Sequence, residues 1–256
     1  IFGVLQRIAL AYGIAAALLH FAGKKWTYTL VLISLPVYWI ILEKFGMAGL
    51  DPLSLEGNAV RALDLKLIGA NHMYTGEGIA FDPEGLLTTL PSIANIVAGY
   101  SAGLFVQRDR NEKNTRIDLM LVGASVCIGA MVWGLAFPIN KKLWTSSYVL
   151  LTIGLDLVLL GLLMWFLPKE KKLTTWGKFF QTAGKNPLAI YLLSEIGLIT
   201  LYTLPAGTSS SWEWLYSNGF AWMGVKLGSF IMAALFALLC WLVGYWMDKK
   251  RIYWRV

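Results

Sequence analysis

The sequence predicts an all-α fold, a polytopic membrane helix bundle with about seven transmembrane helices. Two observations carry this. The chain of 256 residues is 57% hydrophobic and only 14% charged, a balance far from that of ordinary soluble domains. Its apolar residues fall in runs of about 20, the length that crosses a bilayer as a helix. These runs divide the whole chain and leave no stretch for a soluble core.

Seven spans follow in order. The first runs from Gly3 to Ala22 and ends at Lys24 and Lys25; the second runs from Trp26 to Phe45. A long polar connection follows. Within it, Leu55 to Gly69 reads as a short helix on the surface, closed by Gly69. The third span is Leu86 to Val106, before the charged stretch Arg108 to Arg116. The fourth is Ile117 to Phe137, and the fifth, after a short loop, is Thr145 to Leu167. The sixth is split into an amphipathic interfacial piece, Trp176 to Asn186, and a span, Pro187 to Leu204. A loop with Gly207 and Ser209 to Ser211 leads to the seventh, Phe220 to Met247.

Charge orients the bundle. Lys24, Lys25, Arg108, Arg110, Lys113, Arg116, Lys169, Lys171, Lys172, Lys178, Lys249, Lys250, Arg251 and Arg255 fall at one set of span ends. Only Lys44, Arg61, Lys66, Lys141 and Lys142 fall at the other. Cytoplasmic loops carry the excess of Lys and Arg, so the N-terminus of this chain is expected outside and the C-terminus inside. The net charge of +7 then points to anionic membrane lipid as a partner, not to nucleic acid. Cys127 and Cys240 sit inside apolar runs and read as small buried hydrophobes.

The long connection is the first place to look for chemistry. It holds Asn71-His72-Met73-Tyr74 and Asp82-Pro83-Glu84-Gly85, and so one of only two histidines. Asp82 has a second reading, as the cap of the next helix with Pro83 in its first turn. A charge in hydrocarbon costs roughly 2.5–3.5 kcal/mol, so charges at depth need a reason. Arg7 either snorkels to the outer headgroups or faces a site, with Gln6 beside it. Asn95 is expected to hydrogen-bond between helices. Asp156 and Glu195 are expected to face a cavity or an interior partner. Lys185 and Asn186, just before Pro187, either attract a phosphate from the cytoplasmic side or anchor the inner leaflet. No metal is expected, since a cluster would need His72, Asp82 and Glu84 to converge, which their spacing permits without favouring.

Several stretches resemble the transmembrane heparan-α-glucosaminide N-acetyltransferase family, its bacterial relatives especially. They are Gly3-Val4-Leu5-Gln6-Arg7-Ile8-Ala9; His72 with Tyr74; Asp82-Pro83-Glu84-Gly85-Leu86-Leu87; Pro138-Ile139-Asn140-Lys141-Lys142-Leu143-Trp144-Thr145-Ser146; and Gly184-Lys185-Asn186-Pro187 with Tyr191. The resemblance implies one acyltransferase-like membrane domain over residues 1–256. It implies an enzyme of the bacterial inner membrane that takes an acetyl group from cytoplasmic acetyl-CoA and delivers it to the amino group of a glucosamine-type sugar outside. By matching position, His72, Asp82 and Glu84 are the expected catalytic groups. Asn71, Asn140, Lys141, Trp144, Gln6, Arg7 and Glu195 are the expected substrate contacts, and Lys185 and Asn186 the cofactor contacts. The family's catalytic histidine lies upstream of its Gln-Arg segment, where this chain begins. No residue here matches it, and N-terminal spans of the family are expected to be missing. A homodimer is a further expected partner. Two rival readings stand: a permease for a small sugar or anion, with Asp156 and Glu195 as its polar groups, and a non-catalytic membrane scaffold.

Overall fold

A computed structural model describes residues 3–108, 112–166 and 174–254. The chain divides into two compact units, Ile1–Pro168 and Lys169–Val256. Arg110, Lys169, Lys171, Lys172 and Arg255, which entered the orientation argument, lie outside the described residues, as does the end of the fifth expected span. Nothing is described of the Lys113 side chain.

The first unit opens with α1 (Val4–Ala17), whose buried face repeats every fourth residue at Arg7, Ala11 and Ala15. A π turn at Leu18–Ala22 and Gly23, at φ 77°, join it to α2 (Gly23–Lys44). As one straight helix, this run of 41 residues would hold Arg7 and Tyr38 about 45 Å apart. Both instead reach one short loop, Arg7 packing on Trp144 and Tyr38 donating to the Leu143 carbonyl. The run therefore folds back on itself.

A polar connection carries α3 (Ala59–Leu67), capped by Asn58, whose side chain accepts from the Arg61 N–H. α4 (Thr89–Arg108) follows, packed against α1, α2, α5 (Glu112–Gly134) and α6 (Ser146–Phe166). It is the central helix of this unit, and small residues such as Ser92, Ala94 and Ala102 fill its buried face. α5 and α6 lie closest of all. A Cβ on Gly123 would come within 2.7 Å of the Gly154 carbonyl, and one on Gly154 within 2.6 Å of Cys127 Sγ. Small residues let backbones approach in this way where lipid supplies no hydrophobic drive. Outward faces are strongly apolar, with Leu32, Leu121 and Leu135 exposed, as suits helices solvated by hydrocarbon.

The second unit holds α7 (Thr175–Lys185), α8 (Pro187–Thr203), a hairpin of β1 (Pro205–Ala206) and β2 (Ser209–Ser210), α9 (Ser211–Gly219) and α10 (Val225–Lys249). The split of the sixth span is observed, because Pro187 starts a new helix after Asn186 leaves helical geometry. Phe179 of α7 stacks on Trp241 of α10 with centroids 4.5 Å apart. The hairpin and α9 replace an expected loop. The readable signal was the capping box Ser210-Ser211-Trp212-Glu213, in which Ser210 Oγ accepts the Glu213 N–H.

Among the described residues, five segments are long and apolar enough to cross a membrane: Val4–Lys44, Thr89–Arg108, Asn114–Gly134, Ser146–Phe166 and Val225–Lys249. Pro187–Thr203 is apolar but shorter. This is an all-α membrane architecture. Substituting Gly154→Val should force α5 from α6 and lower stability by about 1–3 kcal/mol. Gly129→Val, which meets no neighbour within 4 Å, should change little. Thermal unfolding in detergent checks the pair, and equal effects would refute the close approach.

Candidate functional site

At the end of the first unit where α1 begins, the connection and the α5–α6 loop meet around one buried cation. The connection is pinned first. Arg61 donates to the carbonyls of Ala80 and Glu56 at 2.9 and 3.0 Å. Phe81, fully buried, enters a core with Tyr38, Leu42, Val60, Phe137 and Leu143. Asp82 therefore arrives at the bundle with its direction set. Its Oδ1 accepts the Glu84 N–H at 3.0 Å, which turns the chain through Pro83. The reading of Asp82 as a helix cap is corrected here: α4 starts only at Thr89, and Asp82 closes a turn of its own.

Arg7 is 7% exposed, so it does not snorkel. Its guanidinium lies 3.9 Å from the centroid of Trp144, donates to the Pro83 carbonyl at 3.3 Å and faces Glu84 Oε1 at 3.8 Å. Trp144 in turn donates through Nε1 to Asn95 Oδ1, and Asn95 donates to Thr152. Asn95 thus makes the interhelical hydrogen bonds expected of it, with the indole as an added partner. Trp144 holds φ at 50°, a left-handed value costly for a bulky residue. The loop around it is over-determined. Asn140 Oδ1 accepts from the Lys142 and Leu143 N–H groups, Thr145 Oγ donates to the Pro138 carbonyl, and Tyr38 OH holds the Leu143 carbonyl.

Other expected residues fall elsewhere. Asn71 and His72 are exposed on the turn Ala70–His72. Lys141 is exposed, while its neighbour Lys142 pairs with Glu77. Gln6 is exposed because one residue along a helix is 100° around it, and Arg7 takes the inward position. Glu195 lies exposed on α8 of the second unit, and Asp156 is exposed on α6 between Leu155 and Leu159. These two acids were expected to face a cavity or an interior partner; both are exposed, and among the described residues neither has an ion-pair partner. Lys185 makes an ion pair with Asp248 at 2.9 Å, and this lifts its ammonium above its usual range. Asn186 is fully buried, donating to the Ile252 carbonyl and accepting the Trp254 N–H. Lys185 thus ties α7 to α10, and Asn186 holds the chain's last described residues to the start of α8.

Sequence reasoning missed Asp64. It lies on the buried face of α3 with Ala59 and Val60, wholly enclosed. Its Oδ1 accepts the Leu86 N–H at 3.2 Å, and Oδ2 has no hydrogen-bond partner. Asp82 Oδ2 is unpartnered too. Burial pushes the Asp64 carboxyl up from 3.8 to about 6; the Leu86 N–H opposes this and the Asp82 charge adds to it. Burial also raises Asp82, against the Glu84 N–H and Arg7. The signal in the sequence was an acid four residues after Val60, on the apolar stripe of a short helix. Beyond α3 lies an apolar groove of about 410 Å³, lined by Ile41, Phe45, Ala59, Ala62, Leu63, Lys66 and Leu87. Among the described residues, no group of three or more His, Cys, Asp or Glu is placed to hold a metal ion.

Fold and site together define a helical membrane protein with a buried arginine–carboxylate–tryptophan cluster at one end of its bundle. No family model matches the chain. It is similar to the heparan-alpha-glucosaminide N-acetyltransferases of Mus musculus and Homo sapiens, at 24% and 23% identity over 99% of this chain. The chain spans 44% of the length of each. These similarities support a distant family relationship with those enzymes.

Asp64 also sets a pH dependence. Its folded pKa lies above the unfolded value, so its stabilising contribution is full below about pH 4 and is lost as pH rises through about 6. The difference is about 3 kcal/mol. Asp64→Asn should flatten unfolding midpoints across that window and be no less stable than the wild type at pH 7. Parallel curves for the two proteins would refute the assignment.

Proposed function

We propose that this chain forms the core of a membrane acetyltransferase that moves an acetyl group from acetyl-CoA to the amino group of a glucosamine-type sugar. The observation that carries the reading is the Arg7 cluster. It is built from the same segments, Gln6-Arg7, Asp82-Pro83-Glu84-Gly85 and Asn140 to Trp144, that resemble the acetyltransferase family. The distant relationship to two N-acetyltransferases supports it.

In this reading the bundle makes seven passes. The folded-back run Val4–Lys44 counts as two. α8, at 17 residues, sits at the short limit for a span of roughly 17–25 residues. Basic side chains at the far ends of the helices face the cytoplasm of a bacterial inner membrane, and the Arg7 cluster faces outward. The sugar nitrogen attacks the thioester carbonyl, the carbon–sulfur bond breaks and CoA leaves as thiolate. The amine proton passes to a base, for which Asp82 and Glu84 of the cluster are the candidates, together with His72 on the exposed turn Ala70–His72. Arg7, held against Trp144, keeps positive charge beside the acids and offers donors to developing negative charge. Asn71, Asn140, Lys141 and Trp144 line the mouth for the sugar. Lys185 is the proposed cofactor contact and would exchange Asp248 for a CoA phosphate, with buried Asn186 holding the segment beside it. Lipid surrounds the bundle, and a homodimer is its proposed assembly. The permease alternative drew on Asp156 and Glu195, and no observation favours it.

The test is acetyl transfer from acetyl-CoA to glucosamine by the protein as its gene encodes it. Arg7→Met should lower kcat/KM by about 10²-fold, and His72→Ala by about 10²-fold if His72 carries the proton. An unchanged kcat/KM in His72→Ala removes that residue from the site. Sugar uptake driven by a proton gradient, with no acetylated product, would overturn the reading.

A further inference from the structure

Asp64 has no part in the reaction as drawn, yet nothing in α3 requires a carboxylate there. The other members of its buried face, Ala59 and Val60, are apolar. An ionised group at that position costs stability at neutral pH. What Asp64 does touch is the segment leading from the site into α4. Its Oδ1 takes the Leu86 N–H. Its Oδ2 lies so close to Gly85 that a Cβ there would overlap it, so the contact exists only because residue 85 is glycine. The same few residues carry Asp82, the Pro83 carbonyl that receives Arg7, and Glu84 that pairs with it.

We propose that Asp64 is a positioning residue: its charge, accepted through the Leu86 N–H and fitted against Gly85, sets where Asp82, Pro83 and Glu84 lie relative to Arg7. The role in catalysis rests on the acetyltransferase reading; the role in placing the segment does not. A hydrogen bond to an ionised acceptor is roughly twice as strong as a neutral one, so neutralising Asp64 loosens the segment without emptying the space. The groups that face it are Tyr38 from α2 and Asp82 from the connection, with Glu84 beside Asp82 and Arg7 of α1 against both. On α3 itself, Arg61 is held by two carbonyls and Lys66 is exposed.

The experiment compares wild type with Asp64→Asn in the full gene-encoded protein from pH 5 to 8, reading kcat, KM and amide hydrogen exchange of residues 82–88. The other titratable groups are common to both proteins, so the ratio isolates Asp64. At pH 5 the two should agree within about twofold. At pH 8 the variant should lose about tenfold in kcat with KM within about threefold, as a small misplacement of reacting groups does. Protection of residues 82–88 should fall in parallel, and both ratios should turn near pH 6. A kcat ratio that does not vary with pH, or equal protection in both proteins throughout, overturns the proposal. A wild type without acetyl transfer refutes the proposed function alone, and the exchange data then decide for or against Asp64.

Discussion

A guanidinium cannot lose its charge, so burying one forces the surroundings to answer it. Arg7 is the group that the first unit answers. It sits on the inward stripe of α1 among alanines, where a bundle would ordinarily place another small apolar residue. Its partners come from two distant parts of the chain, the connection and the loop before α6. Each of those parts is then constrained in turn. The connection must bring a carbonyl and a carboxylate to one point, and the loop must bring an aromatic face to the same point.

The loop meets that demand by accepting strain. Trp144 adopts a left-handed backbone that a bulky side chain resists. It stays there because Asn140, Thr145 and Tyr38 hold the backbone on either side, while Asn95 holds the indole. The connection meets it with a surface helix and a buried aromatic: Arg61 ties α3 to Ala80, and Phe81 is sunk in the core beside Tyr38. Strain and pinned loops of this kind gather where a fixed arrangement of polar groups serves function, since packing alone has cheaper solutions. The remainder of the unit follows membrane rules. α5 and α6 approach through glycine, and α4 fills the centre with small residues.

In the second unit, polar groups secure a chain end. Lys185, Asp248 and Tyr253 form a chain of contacts, and buried Asn186 binds backbone on both sides of Tyr253. Asn186 also separates α7 from α8, so one residue breaks the helix and clamps the segment after α10. The amphipathic and spanning parts of that pair had been distinguishable because proline fixes the start of a helix and bars what precedes it from continuing.

Composition and the length of apolar runs by themselves determined that this is an all-helical membrane protein, and where most helices start and stop. Those features depend on bilayer thickness and local backbone chemistry, which act within a run of about 20 residues. Arg7 was also legible as a charge at membrane depth, and Asp82, Glu84 and Trp144 through the family resemblance of the segments that carry them. Only the tertiary structure decided which of two neighbours faces inward, Arg7 and not Gln6. It alone decided that Lys142, not Lys141, finds an acid, and that Asp156 looks outward. Asp64 stood on the apolar stripe of a short helix, but what surrounds it could not be read for the same reason. Its environment is made by Leu86 and Gly85, more than twenty residues along the chain, and local pattern cannot say which distant segment covers a helix face.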